Sequence, residues 1–131
     1  MSDHPNIDTV NRMTQAIVEQ DREALSTLYT GDMQFHLRGP FERAGDHVGA
    51  DGVIDALGHL FEVTNGDIKL EQLFITATDE WVVEWERSLL GRKGKSLESH
   101  NAFVYRFDGG RIAEMWMFLG ANPEQGTAFF A

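Results

Sequence analysis

The chain has 131 residues, with 11 Lys+Arg against 21 Asp+Glu and a formal net charge of −10. At 42% hydrophobic and 24% charged it has the balance of a folded globular chain, and its length fits one domain over residues 1–131. Without Cys it has no disulfide, thiolate zinc site or cysteine nucleophile, and its acidity argues against nucleic acid and anionic membranes as partners. No apolar run reaches bilayer length, and Met1 to Pro5 has neither the basic flank nor the apolar stretch of a secretory signal. A cytoplasmic protein is the expectation.

Helical spacing comes first along the chain. Ile7 to Glu19 sets Val10, Met13 and Ile17 on one stripe, and Asp21 to Tyr29 sets Leu25, Leu28 and Tyr29 on another, with Asp21 as cap and Gly31 as stop. After Met33 to Arg38, which alternates as a strand, the loop Gly39 to Gly49 has room for a short second one. A third helix follows Gly49, carries Val53, Ile54, Leu57, Leu60 and Phe61 on one face, and ends at Asn65-Gly66. Four strand-like runs complete the chain: Ile68 to Thr78, Glu80 to Leu90, Leu97 to Phe107 and Arg111 to Leu119. Helices first and hairpin-linked strands last predict an α+β fold with a mainly antiparallel sheet.

The last hairpin predicts which side chains share a face. A three-residue loop at Asp108-Gly109-Gly110 pairs Phe107 with Arg111. One face then carries Asn101, Phe103, Tyr105 and Phe107 beside Ala113, Met115, Met117 and Leu119. The other carries His100, Val104 and Arg106 beside Ile112, Glu114, Trp116 and Phe118. A two-residue loop would mix the faces and bury Arg106 among aromatics. Carried across Gly91 to Gly94, the first face gains Trp81, Val83, Trp85, Arg87 and Leu89, a step that a bulge would reverse. This more apolar face is expected to line an interior cavity, where Arg87, Asn101 and the Tyr105 hydroxyl are the polar groups that could meet a ligand.

Several segments resemble the SnoaL-like branch of the nuclear transport factor 2-like superfamily, the ketosteroid-isomerase fold. They are Asp21 to Leu25, Phe35 to Gly39, Ala44 to Gly49, and Phe107 to Trp116, in an order and spacing that cover nearly the whole chain. The resemblance implies a cone-shaped, strongly bent sheet wrapped around N-terminal helices, with a deep pocket open at one end. It also implies dimerisation through the outer sheet face. It does not choose a reaction, because the family includes cyclases, isomerases, epoxide hydrolases, dehydratases and non-catalytic proteins. Where isomerases of this fold carry their Tyr, Asp base and strand acid, this chain aligns Met13, Leu37 and Phe103. The acids that the epoxide hydrolases and polyketide cyclases hold on the last strand fall among Ala113, Met115, Met117 and Leu119.

His36 is the candidate for proton transfer, because imidazole titrates near neutral pH; the competing role is a structural hydrogen bond at a strand end. Phe35, Trp85, Arg87, Asn101, Phe103, Tyr105, Met115 and Met117 form the candidate ligand-binding set. Arg87 either holds an anion inside or pairs with Glu86, Glu71 or Glu98 at the mouth. His100 and Glu114 read as a polar pair on the outer face. His4, His36, His47, His59 and His100 lack metal-ligand spacing, and no phosphate loop or dinucleotide fingerprint is present, so neither metal nor cofactor is expected. Val104, Ile112, Trp116 and Phe118 predict a homodimer through the outer face, and the Phe129-Phe130 tail is expected to fold back near the pocket mouth. The function expected is cofactor-free isomerisation, cyclisation, dehydration or hydration of a small apolar, oxygenated or aromatic ligand. The alternative is a non-catalytic binding or dimerisation module.

Overall fold

The structure is a computed structural model and describes residues 4–131. Helix α1, Pro5–Val18, starts at His4, whose Nδ1 accepts the Asn6 N–H at 3.1 Å. Pro5 fits the first turn because its missing N–H has no partner there to lose. Helix α2, Arg22–Leu28, starts at Asp21, whose carboxylate accepts the Ala24 N–H at 3.0 Å. Both helices bury one stripe: Val10, Met13 and Ile17 from α1, Leu25 and Leu28 from α2.

Gly31 is not the stop that its sequence position suggested. Helix α2 ends at Leu28, and Tyr29 is already extended, opening strand β1, Tyr29–Arg38. Buried Tyr29 pairs with Ile112 there, so sheet packing takes over before the glycine is reached. Strand β2, Gly45–Val48, occupies the loop that had room for it. The third helical segment is α3, Gly49–Val53, a π-helical turn at Ile54–Gly58, and α4, His59–Val63. The wide turn buries Ile54, Ala56 and Leu57 together.

The remaining elements are β3 Ile68–Ala77, β4 Trp81–Arg92, β5 Lys95–Asp108, β6 Arg111–Leu119 and helix α5 Pro123–Phe130. The six strands lie in the order β2-β1-β6-β5-β4-β3, antiparallel except for the parallel pair β1–β6. The sheet curls without closing, and its inner face meets the helices over a core that includes Val10, Met33, Phe35, Leu37, Val53, Tyr105 and Met115. This is the expected α+β architecture. Among the described residues no helix is long and apolar enough to cross a membrane.

Two turns decide which side chains face inward. The β5–β6 connection is the tight two-residue turn Gly109-Gly110, with Asp108 opposite Arg111, and both glycines have positive φ. It is not the three-residue loop expected. Ala113 bulges from the ladder, however, so Arg106 stands opposite Glu114 and Tyr105 opposite Met115. The bulge cancels the mixing of faces that a two-residue turn would otherwise cause. Asn101, Phe103, Tyr105, Met115, Met117 and Leu119 therefore share the expected face. Ile112 moves from the predicted outer set into the core, fully buried.

The β4–β5 turn reverses the other expectation. Lys93-Gly94 is a two-residue turn with both residues at positive φ and Arg92 opposite Lys95. Gly91, read from the sequence as part of that turn, lies in the strand. A Cβ there would overlap the Asp67 carboxylate, and its N–H bonds the Asp67 carbonyl at 2.9 Å. In consequence Glu84 stands opposite Phe103 and Glu86 opposite Asn101. The even residues of β4, Val82, Glu84, Glu86, Ser88 and Leu90, are buried on the inner face, while Trp81, Trp85, Arg87 and Leu89 face out.

Candidate functional site

The inner face of β4 and β5 forms one wall of a cavity, closed by Met13, Thr14, Ile17 and Val18 of α1 and by Leu57, Leu60 and Phe61. Pro40, Ala121 and Phe130 complete one side. About 70 Å³ is open to the centres of water-sized molecules, several times the roughly 10–15 Å³ that one water needs. The cavity has room for several water-sized groups. Lys, Arg and His are absent from the described residues that line it.

Its polar groups lie in a belt across two strands. Asn101, 1% exposed, donates from Nδ2 to Glu86 Oε1 at 3.2 Å and to Ser88 Oγ at 3.0 Å. Its Oδ1 accepts from Ser99 Oγ at 3.0 Å and from the Gly120 N–H at 3.4 Å. The Ser88 and Ser99 hydroxyls are 3.0 Å apart, so Ser88 donates to Ser99 and the three side chains close a ring. Every donor and acceptor of Asn101 is engaged, which makes it a positioning residue for Glu86.

Glu84 and Glu86 sit two residues apart on the same face of β4, 4% and 8% exposed. Glu84 accepts the Tyr105 hydroxyl on Oε1 at 3.1 Å and Gln72 Nε2 on Oε2 at 2.7 Å. Glu86 has one donor among the described residues, the Asn101 amide, and Oε2 is left for the cavity. Burial, with the negative charge of Glu84 adding to it, raises Glu86 from its usual 4.5 to about 7 against the pull of the Asn101 amide. Burial and the neighbouring Glu84 likewise push the Tyr105 phenol well above its ordinary value. Glu86 can therefore take or give a proton near neutral pH in a mostly apolar site.

Four of the ligand-binding candidates line the cavity: Asn101, Phe103, Tyr105 and Met117. Phe35 and Met115 lie behind it, fully buried in the core. Trp85 and Arg87 point away from it, contrary to expectation, because the β4–β5 turn sets β4 in the opposite phase. Trp85 stacks on His100 with ring centres 5.6 Å apart, and Arg87 pairs with Glu71 at 3.1 Å and Glu98 at 3.2 Å. Glu114 is not the partner of His100.

His36 lies on the outer face as well. Its Nδ1 is 2.8 Å from Asp46 Oδ1 and its Nε2 2.7 Å from Glu114 Oε2, with Trp116 beside the ring at 5.4 Å. Two carboxylate acceptors need two N–H donors, so the ring is the imidazolium. The bond to Asp46, then that to Glu114, raises the His36 pKa, while partial burial opposes it. This is the structural hydrogen-bonding role, extended to both ring nitrogens. The sequence reading missed Glu84 and Glu86; a Lys-Gly pair at 93–94, read as a two-residue turn, was the signal that places them inside.

Comparison with known proteins adds a frame to this geometry. The uncharacterised protein Rv0034 of Mycobacterium tuberculosis is 29% identical over 133 residues, covering 100% of both chains. The structure of Bal32a, from a soil-derived mobile gene cassette, is 25% identical, covers 97% of each chain and superposes with a TM-score of 0.82. The candidate polyketide cyclase IdmH of Streptomyces antibioticus, at 19% identity, shares the fold, with 95% of this chain and 97% of that one covered and a TM-score of 0.72. The SnoaL-like domain family matches residues 10–115, from within α1 into the first half of β6, and the chain belongs to that family.

Proposed function

We propose that this protein is an acid–base catalyst acting on a small apolar, oxygenated molecule, with Glu86 as the group that moves the proton. One observation carries the reading. Glu86 is a buried carboxyl with a pKa of about 7 and one oxygen open to an apolar cavity. Protonated, it donates to a ligand oxygen; ionised, it takes a proton from carbon or oxygen. Isomerisation, cyclisation, dehydration and hydration all contain such a step. Asn101 aims the carboxyl, burial and then the charge of Glu84 keep its pKa high, and Phe103 and Met117 hold the apolar body of the ligand. Support for the family comes from the sequence match; the choice of Glu86 comes from the site.

The test is proton exchange. The protein is incubated with bicyclic ketones such as tetralone in deuterated buffer, and label at the carbon next to the carbonyl is followed by NMR. Wild type should exchange it faster than Glu86→Gln by roughly 100- to 10,000-fold, the range of general acid–base catalysis. Equal rates across the series would remove the catalytic reading and leave a binding module.

We also propose that a second copy of the chain covers the outer face. Trp81 is 39% exposed and Phe118 45% exposed there, beside Trp116 and Val104. That is a contiguous aromatic surface of the kind that association covers.

A further inference from the structure

With Glu86 ionised, the cavity offers a ligand acceptors and almost no donors. Its side-chain donors are Thr14, Ser88, Ser99, Asn101 and Tyr105. Thr14 Oγ1 donates to the Val10 carbonyl at 3.2 Å, the two serines and Asn101 spend their protons within their ring and on Glu86, and the Tyr105 proton goes to Glu84. What remains are carboxylate lone pairs, chiefly on Glu86 Oε2 and on the second lone pairs of Glu84. Among the described residues no cation lines the cavity to answer them, and Glu84 and Tyr105 are the only other ionisable side chains in its lining. The polar group that completes the ionised site brings its own N–H or O–H, and two adjacent carboxylates favour one that brings positive charge.

We propose that the pocket takes an apolar ligand bearing a protonated amine, its ammonium seated against Glu84 and Glu86 and its apolar body against Phe103, Phe61 and Met117. An ammonium has three donors, and residues two apart on one strand face stand within roughly 7 Å of each other, a span one such group can bridge. Phe103 and Tyr105, both in the cavity lining, give the cation aromatic neighbours. The proposal rests on the cavity being the ligand site, and it sharpens the role of Glu86. A cation beside it favours the carboxylate, so binding expels the proton and leaves Glu86 as a base. A carboxylate or phosphate ligand would meet two like charges and no cation.

The experiment is calorimetric titration of the wild-type protein at pH 7 with phenylbutylamine, phenylbutanol and phenylbutyrate, each in two buffers of different ionisation enthalpy. The amine should bind at least about tenfold tighter than the alcohol, the carboxylate weakest, and amine binding should release a fraction of a proton. In Glu86→Gln the amine preference should shrink and the proton release vanish. An alcohol that binds as well as the amine, or a carboxylate that binds best, overturns the proposal. These arms need only wild-type protein, so a variant that folds poorly does not remove the test. Glu86-dependent exchange of a ketone without amine preference would sink this inference and leave the catalytic reading standing. Amine preference without exchange would uphold the inference and sink the catalytic reading.

Discussion

The protein holds two clusters of carboxylates on opposite faces of one sheet, and their surroundings give them opposite characters. Inside, Glu84 and Glu86 face neutral donors only: a phenol, two amides and the serines beyond them. Outside, Asp46 and Glu114 grip the His36 imidazolium, with Arg38 2.9 Å from Asp46 and Arg106 3.5 Å from Glu114. Asp46 is lowered by its bonds to His36 and then Arg38, whereas Glu86 is raised by burial. The same residue types thus give a proton that is easily moved in one place and a fixed charge in the other. Partners and water decide this, and the sequence names neither.

The largest effect expected on this contrast comes from Glu86→Gln. It should abolish proton exchange, as above, while the fold becomes less sensitive to pH. The folded carboxyl titrates at about 7 and the unfolded one near 4.5, so the folded state holds the proton more tightly. The contribution of Glu86 to stability is then complete below pH 4.5 and is lost as the pH rises through 7, by on the order of 3 kcal/mol at 1.36 kcal/mol per pH unit. Urea titrations at pH 5 and pH 8 should show this slope in wild type and lose most of it in the variant, with His36 leaving a smaller remainder. A slope that survives the substitution in full would assign it to another group.

On the outer face Trp116→Glu should convert the proposed dimer to monomers in light scattering, because an unpaired charge would be buried at the contact. Ligand binding in the cavity should persist. A dimer that withstands the change would move the interface elsewhere. Asn101→Leu comes next. It strips the donor from Glu86 and opens the ring through Ser88 and Ser99, leaving buried polar atoms without partners, each worth about 1–3 kcal/mol. Thermal melts should fall accordingly. The proton-transfer pH profile should move upward, since the Asn101 amide lowers the Glu86 pKa in the folded state. A purely structural role would change the melt and leave the profile in place.

The two faces also differed in how far the residues announced them. Helical stripes such as Val10-Met13-Ile17 were legible because burial on one side repeats at the helical period, and the β5–β6 face was legible because two departures from the expected turn cancelled. Strand β4 was not. Its outward residues, Trp81, Val83, Trp85 and Leu89, are more apolar than the inward Glu84, Glu86 and Ser88, so hydrophobicity points to the wrong side. That inversion arises where an outer face is itself apolar and an inner face carries a hydrogen-bonded polar belt. Gly91 compounded it, since a glycine needed for close approach to Asp67 looks the same in sequence as one needed for a turn. The direction of His36 stayed open in the sequence, and only three-dimensional pairing brought Asp46 and Glu114 to its two nitrogens.

The smallest effect expected belongs to that outer cluster. His36 gains two carboxylate partners on folding, so its folded pKa lies above the unfolded value near 6.5. Its contribution to stability is complete below pH 6.5 and fades as the pH climbs through the raised folded value. Arg38 and Arg106 still neutralise Asp46 and Glu114 when the ring loses its proton, and Asp46 is largely solvated, which keeps the loss modest. His36→Gln carries both N–H donors on one nitrogen, which cannot stand at the positions of both ring nitrogens, so one of the two carboxylates loses its donor. It should lower the melting temperature slightly at pH 6 and hardly at all at pH 9. Proton exchange in the cavity should be untouched, because the ring stands on the other side of the sheet. A loss of exchange in this variant would return His36 to the chemistry and break the division between a labile inner face and a fixed outer one.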